Sequence, residues 1–172
     1  MRIAARAHQG QKRKESDLPY VTHPFMVAMK LAMHDYPDTV LATALVHDVL
    51  EDTAYGEETL QNELGEEILK LVQSITYDKT LSWEETRTKY IESVRVASEE
   101  VKAISVADKI HNAESLILGY KIQGKDIWKN FSRSKEKKMW FEREMLKMLK
   151  ETWEHPLVNE YESLVRLMEK LD

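Results

Sequence analysis

The chain has 172 residues, no cysteine and a formal net charge of −5, so it can bury a sizeable core but can form neither disulfides nor thiolate zinc sites. The acidic balance removes any general case for binding nucleic acid by counterion release, and no apolar run reaches membrane-spanning length. Sparse glycine (5) and proline (4) beside abundant Ala, Leu, Glu and Lys predict an all-α helical bundle, expected as one domain over 1–172; the lack of a secretory apolar segment points to the cytoplasm.

A short first helix is expected over 2–8, ended by Gly10. Residues 11–20 then form a polar loop carrying Lys12, Arg13 and Lys14 in succession. Such a run is either a solvated face or an anion grip, for which Arg offers a planar fork and Lys a point charge. Pro24 suits a first helical position, leaving His23 as the flank of a helix in which Phe25, Met26, Met29 and Met33 keep helical spacing. Pro37-Asp38 breaks the chain, and Asp38 can cap a helix over 39–50. That helix is apolar nearly all round (Val40, Leu41, Ala42, Ala44, Leu45, Val46), which predicts the centre of the bundle.

It runs into His47-Asp48-Val49-Leu50-Glu51-Asp52-Thr53, one histidine and three carboxylates within six residues. In isolation this is first of all a solvated acidic helix end. At the end of the most buried helix, however, such groups are costly without partners. Helices over 57–64, stopped by Gly65, and over 66–75, with Ile68, Leu71, Val72 and Ile75 on one side, come next. After a polar loop over 76–81, Ser82-Trp83-Glu84-Glu85 is a capping box opening a helix toward Ala97. Ser98 can cap the following helix, in which Asp108 interrupts an apolar stretch. Residues 119–131 are expected to be irregular with a short helix, and helices over 134–153 and from Pro156 onward to be structural, shaping either a pocket's far wall or a dimer surface.

His23, His47, Asp48 and Asp108 are thus four potential ligands on three segments, a donor set suited to Mn²⁺, Fe²⁺, Co²⁺ or Zn²⁺. Neighbours on a helix diverge by about 100°, so His47 and Asp48 can share an ion only at a helix end. His8 is expected to support the basic loop, and His111 to lie near the ion without ligating it.

The set Ala7-His8-Gln9-Gly10-Gln11-Lys12-Arg13-Lys14, Pro19-Tyr20, His23-Pro24, Ala42-Thr43-Ala44-Leu45-Val46-His47-Asp48-Val49-Leu50-Glu51-Asp52-Thr53 and Ala107-Asp108-Lys109-Ile110-His111-Asn112 resembles the HD-domain metal phosphohydrolases, and among them the RelA/SpoT-type (p)ppGpp hydrolases with their stand-alone small forms. The resemblance covers about the first 120 residues, which would carry the site, with 121–172 as supporting helices. It implies an HD-domain helical bundle with one divalent ion, usually Mn²⁺. Carried over by position, His23, His47, Asp48 and Asp108 would ligate the ion, and Glu51 and Asp52 would activate the attacking water. Arg13 and Lys14 would hold phosphates or the base, and Asn112 would face the nucleotide. The implied reaction removes the 3′-diphosphate of (p)ppGpp as pyrophosphate; the implied partner is a small-molecule nucleotide, with neither nucleic acid nor membrane. The loop from Arg13 to His23 is one residue longer than the family spacing, with Asp17-Leu18 in place of a Gly-containing stretch, and Ser105 stands where many members have Lys. Thr76-Tyr77-Asp78-Lys79 fits the short stand-alone branch. Two other readings stay open: hydrolysis of another nucleotide or nucleotide cofactor, and a catalytically silent nucleotide-binding HD domain.

Overall fold

The computed structural model describes residues 1–77 and 80–172, and every regular element in them is helical. Asp78 and Lys79, within the Thr76-to-Lys79 stretch quoted above, lie outside the described residues. In chain order the elements are α1 (Arg2–Ala7), α2 (Thr22–Ala32), α3 (Asp38–Val46), α4 (Val49–Asp52), α5 (Glu57–Leu64), α6 (Glu66–Ile75), α7 (Trp83–Val96), α8 (Glu99–Gln123), a 3₁₀ helix (Gly124–Asn130), α9 (Lys135–Thr152) and α10 (Pro156–Glu169). No helix among the described residues is long and apolar enough to cross a membrane.

The helix buried on all sides is α8, not the expected α3. Every residue from Val101 to Ile110 is buried, and α8 packs against α2, α3, α6, α7, α10 and the 3₁₀ helix. Its polar positions, Lys102, Ser105, Asp108 and Lys109, disguise this in the sequence. Each has a partner: the Lys102 ammonium donates to the Thr152 carbonyl at 3.2 Å, Ser105 bonds the Tyr90 hydroxyl, and Lys109 pairs with Asp108. Paired in this way, buried polar groups escape most of their desolvation cost. α3 instead lies between the main core and a smaller one of Val46, Val49, Leu60, Leu69 and Val72, with Leu45 packed against both.

Local signals explain most boundaries. Gly65, at φ +89°, separates α5 from α6 as expected. Ser82 and Glu85 form the capping box of α7, whereas Ser98 precedes α8 without a side-chain capping bond. α2 begins two residues earlier than the proline suggests, so His23 lies inside its first turn. Pro24 is tolerated there because the first four helical N–H groups need no intrahelical acceptor. The Phe25, Met26, Met29 and Met33 spacing marks the outer face of α2, with Met33 77% exposed; Val27, Ala28 and Leu31 are the buried side. On α6 the buried set is Leu69, Val72 and Ile75, with Ile68 and Leu71 only half-buried.

α8 also runs through Gly119 and stops at Gly124, which has φ +60°. Gly119 serves a close approach. A methyl group there would collide with Cδ1 of fully buried Ile127 and press on Cβ and the carbonyl oxygen of Glu15, both at 3.3 Å. This seats the basic loop and the 3₁₀ helix on α8. Gly119→Ala is expected to lower stability by about 1–3 kcal/mol, the usual cost of overpacking, read as a lower urea midpoint with an unchanged m-value.

Candidate metal centre and its cleft

Three pieces of backbone bring the four predicted ligands together. His23 comes from the first turn of α2 and Asp108 from the middle of α8. His47 and Asp48 sit at a break between α3 and α4, so the helix expected over 39–50 is interrupted at the pair. The break lets two adjacent side chains converge: His47 Nε2 is 3.1 Å from Asp48 Oδ1 and 3.8 Å from Asp108 Oδ1. His23 Nε2 is 3.0 Å from Asp108 Oδ1 and 3.5 Å from Asp48 Oδ2. One ligand atom each from His23, His47 and Asp108 all lie within 4.8 Å of one another.

The ring nitrogens are sorted by their other neighbours. Nδ1 of His47 lies 2.8 Å from the carbonyl of Ala44, which can only accept, so it carries the proton. Its Nε2 is buried and has no hydrogen-bond partner among the described residues. Nδ1 of His23 meets Nδ1 of His111 at 2.7 Å. Burial first, then the charges of His23 and Arg13, push the His111 pKa down to about 4, which keeps its ring neutral and able to accept. His23 can then donate from Nδ1 and turn the lone pair of Nε2 toward the carboxylates.

Electrostatics favour positive charge at the same point. Burial opposes ionisation of Asp48 and Asp108, yet both carboxyls are held below their usual range, Asp48 chiefly by the His47 charge and Asp108 chiefly by the Lys109 charge. Burial also opposes protonation of His47, but Asp48 and Asp108 hold its pKa above the ordinary imidazole value. The cluster thus attracts a proton where a cation would sit. An orphaned imidazole nitrogen, a second imidazole and two ionised carboxylates fit a divalent ion.

Around this cluster lies a cleft of about 320 Å³, lined by Arg13, Lys14, His23, Asp48, Glu51, Asp52, Asp108 and Asn112 among others. Of the two readings of the basic run, solvated face or anion grip, Arg13 departs from the first: it is buried and lines the cleft. Its Nη2 donates to Asn112 Oδ1 at 2.7 Å, and Asn112 Nδ2 donates to Asp108 Oδ1 at 2.5 Å. The basic loop is thereby tied to the candidate ligands, while Lys14 stays exposed at the rim. On α4, Glu51 Oε2 accepts weakly from the Tyr77 amide at 3.4 Å, and Asp52 is exposed with Oδ2 3.2 Å from the Tyr20 hydroxyl.

Tyr20 is the site residue that residue-by-residue reasoning missed. Its hydroxyl donates to Asp48 Oδ2 at 2.6 Å. Burial, then the Asp48 charge, raises its pKa and keeps it a donor. Its ring stacks on buried His8 at 4.6 Å, which gives His8 its supporting place. The signal was the Pro19-Tyr20 pair within the motif. The cleft is also not confined to the first 120 residues: Phe131, Arg133, Lys138, Phe141 and Glu142 form another wall, with Trp83 and Arg87 from α7.

A model of the HD domain family matches residues 1–135. The chain belongs to this family. Its HD domain is 36% identical over 118 residues to a GTP pyrophosphokinase of Streptomyces coelicolor, covering 66% of this chain but 14% of that protein. It is 35% identical over 118 residues to the guanosine-3′,5′-bis(diphosphate) 3′-pyrophosphohydrolase MESH1 of Homo sapiens, covering 66% of this chain and 65% of that one. It therefore spans less than two thirds of either relative. The solved structure of a metazoan SpoT orthologue described as hydrolysing ppGpp superposes with a TM-score of 0.83 at 27% identity, over 99% of this chain and 93% of that one.

In this HD domain His111 orients His23 without itself reaching the carboxylates. Replacing such an orienting partner typically costs 10–100-fold in metal affinity. His111→Phe is expected to weaken divalent-ion binding by about that factor, measured by titrating metal-free protein against a competing chelator.

Proposed function

We propose that this HD domain is a metal-dependent phosphohydrolase that removes the 3′-diphosphate of (p)ppGpp as pyrophosphate, leaving GDP or GTP. The observation that carries the proposal is the convergence of His23, His47, Asp48 and Asp108 at a cleft that also presents Glu51, Asp52, Arg13 and Asn112. The names and folds of the relatives favour the guanosine substrate among nucleotides.

In this reading His23, His47, Asp48 and Asp108 hold a divalent ion, with Mn²⁺ our choice among those the donor set suits. Such an ion supplies Lewis-acid offset of charge at phosphorus and lowers the pKa of water. Glu51 and Asp52, on the short helix directly after the ligand pair, receive the proton of the attacking water. Tyr20, which reaches Asp48 and Asp52 together, fixes their spacing. Arg13, braced by Glu15 at 3.4 Å and by Asn112, presents a positioned guanidinium to a phosphate or to the base, with Lys14 adding charge at the rim. Attack at the phosphorus bonded to O3′ breaks that P–O bond, pyrophosphate departs, and O3′ ends protonated. The substrate is a free nucleotide, consistent with a cleft of about 320 Å³ and an acidic chain, and the enzyme works in the cytoplasm.

A screen of nucleotides with added Mn²⁺, reading pyrophosphate against phosphate, tests the proposal. Pyrophosphate from ppGpp is the expected product; phosphate alone, released from a different nucleotide, would overturn the substrate assignment. Glu51→Gln is expected to retain the ion and lose about 10²–10⁴-fold in kcat, the usual worth of a positioned base. Turnover near the wild-type rate would remove Glu51 from that role.

A further inference from the structure

Four of the cations that line the cleft are matched by nearby acceptors. Lys109 Nζ is 2.6 Å from Asp108 Oδ2 and 3.1 Å from the Tyr77 hydroxyl. Lys138 pairs with Glu142 at 2.9 Å, Lys12 with Asp17 at 3.1 Å, and Arg13 with Asn112 and Glu15. Arg87 differs. Its Nε and Nη1 are buried and have no hydrogen-bond partner among the described residues. Its guanidinium lies 3.9 Å from the centroid of the Tyr77 ring and 5.0 Å from that of Phe141. Lys109 Nζ is 5.7 Å from the same Tyr77 ring, so a second cation is close by.

Aromatic faces hold a guanidinium in place but do not accept its in-plane N–H bonds. Arg87 is half-buried, and buried N–H donors left open on it are costly unless something supplies the acceptor. Arg87 lines the cleft, where a bound anion can do so. A planar fork fixed by stacking is also preorganised for phosphate oxygens, since little side-chain entropy remains to be lost. On the same wall, exposed Arg133 adds charge, its Nη1 donating to the neighbouring Ser132 carbonyl at 3.1 Å.

We infer that Arg87, with Arg133, forms a second phosphate subsite, separate from the Arg13–Lys14 loop, that receives the diphosphate which is not cleaved. This rests on the nucleotide reading above for the identity of the ligand. A substrate with diphosphates on both O3′ and O5′ needs two anion receptors. One is the metal cluster with its carboxylates and the Arg13–Asn112–Asp108 chain. The second lies on the wall built by α7 and the segment before α9. The C-terminal part of the chain thereby acts in specificity, because the Arg133 side of the subsite lies beyond residue 120.

Calorimetric titration of the full chain, kept metal-free with chelator, separates the subsite from catalysis. The probes are inorganic pyrophosphate, GDP and GMP. Wild-type protein is expected to bind GDP more tightly than GMP. Arg87→Gln should weaken pyrophosphate and GDP at least tenfold and bring GDP and GMP to similar affinity. Arg87→Lys, which keeps the charge and loses the fork, should fall between, and Arg133→Gln, an exposed change, should weaken both probes several-fold with an unchanged melting temperature. Wild-type affinities in a folded Arg87→Gln protein overturn the inference. Should that variant fail to fold, wild-type affinities in both Arg87→Lys and Arg133→Gln overturn it equally. Failure of the hydrolase reading is seen separately: a chain that does not hydrolyse ppGpp yet loses pyrophosphate affinity in Arg87→Gln keeps the subsite, whereas ppGpp hydrolysis with unchanged affinities keeps the reading and removes the subsite.

Discussion

Asp108 is the constraint on which the rest depends. It places a carboxylate in the most buried stretch of the central helix, where an unpaired charge would be prohibitive. Lys109, Asn112, His23 and His47 all lie within reach of it. Each of these neighbours is secured in turn by a different part of the chain. Asn112 carries Arg13, and with it the basic loop, which Gly119 allows to sit close to α8. His23 comes from the first turn of α2, and His47 from the break between α3 and α4. One buried carboxylate therefore draws four segments, distant in sequence, onto a single point. A structure built this way gains specificity of arrangement more than stability, because desolvation offsets most of the Coulombic attraction.

The same geometry explains why the His47-Asp48 pair can work as neighbours. On an unbroken helix they would diverge by about 100°. The chain interrupts the helix at the pair, and the His47 ring turns back so that Nδ1 bonds the Ala44 carbonyl. Nε2 then faces both aspartates. Helix α4 resumes at once and places Glu51 and Asp52 at the cleft. The candidate ligand pair and the acid pair are thus arranged by one local irregularity.

Much of this was legible in the residues. Gly65, the Ser82–Glu85 capping box and Pro156 mark helix ends by local chemistry, which sequence states directly. The candidate ligands stand out because buried His and Asp demand partners. What misled were positions where tertiary context outranks local pattern. The burial of α8 rests on tertiary partners: Thr152 of α9 takes Lys102 and Tyr90 of α7 takes Ser105, while Asp108 and Lys109 pair with each other. The Phe25, Met26, Met29 and Met33 spacing is a true helical stripe on the solvent side. Gly119 resembles a helix stop, but it meets a packing need set by Glu15 and Ile127. The wall formed by Arg87, Phe131, Arg133 and Phe141 could not be read locally, since it exists only once α9 lies beside α7.

The central claim is that two imidazole nitrogens and two carboxylates hold a divalent ion at the point where Asp108 gathers the chain. Titration of metal-free protein with Mn²⁺, followed by electron paramagnetic resonance, tests it most directly. The account predicts uptake of a single ion per chain, with nitrogen couplings from two imidazoles that disappear one at a time in His23→Ala and His47→Ala. Absence of uptake, or uptake without nitrogen coupling, would contradict it.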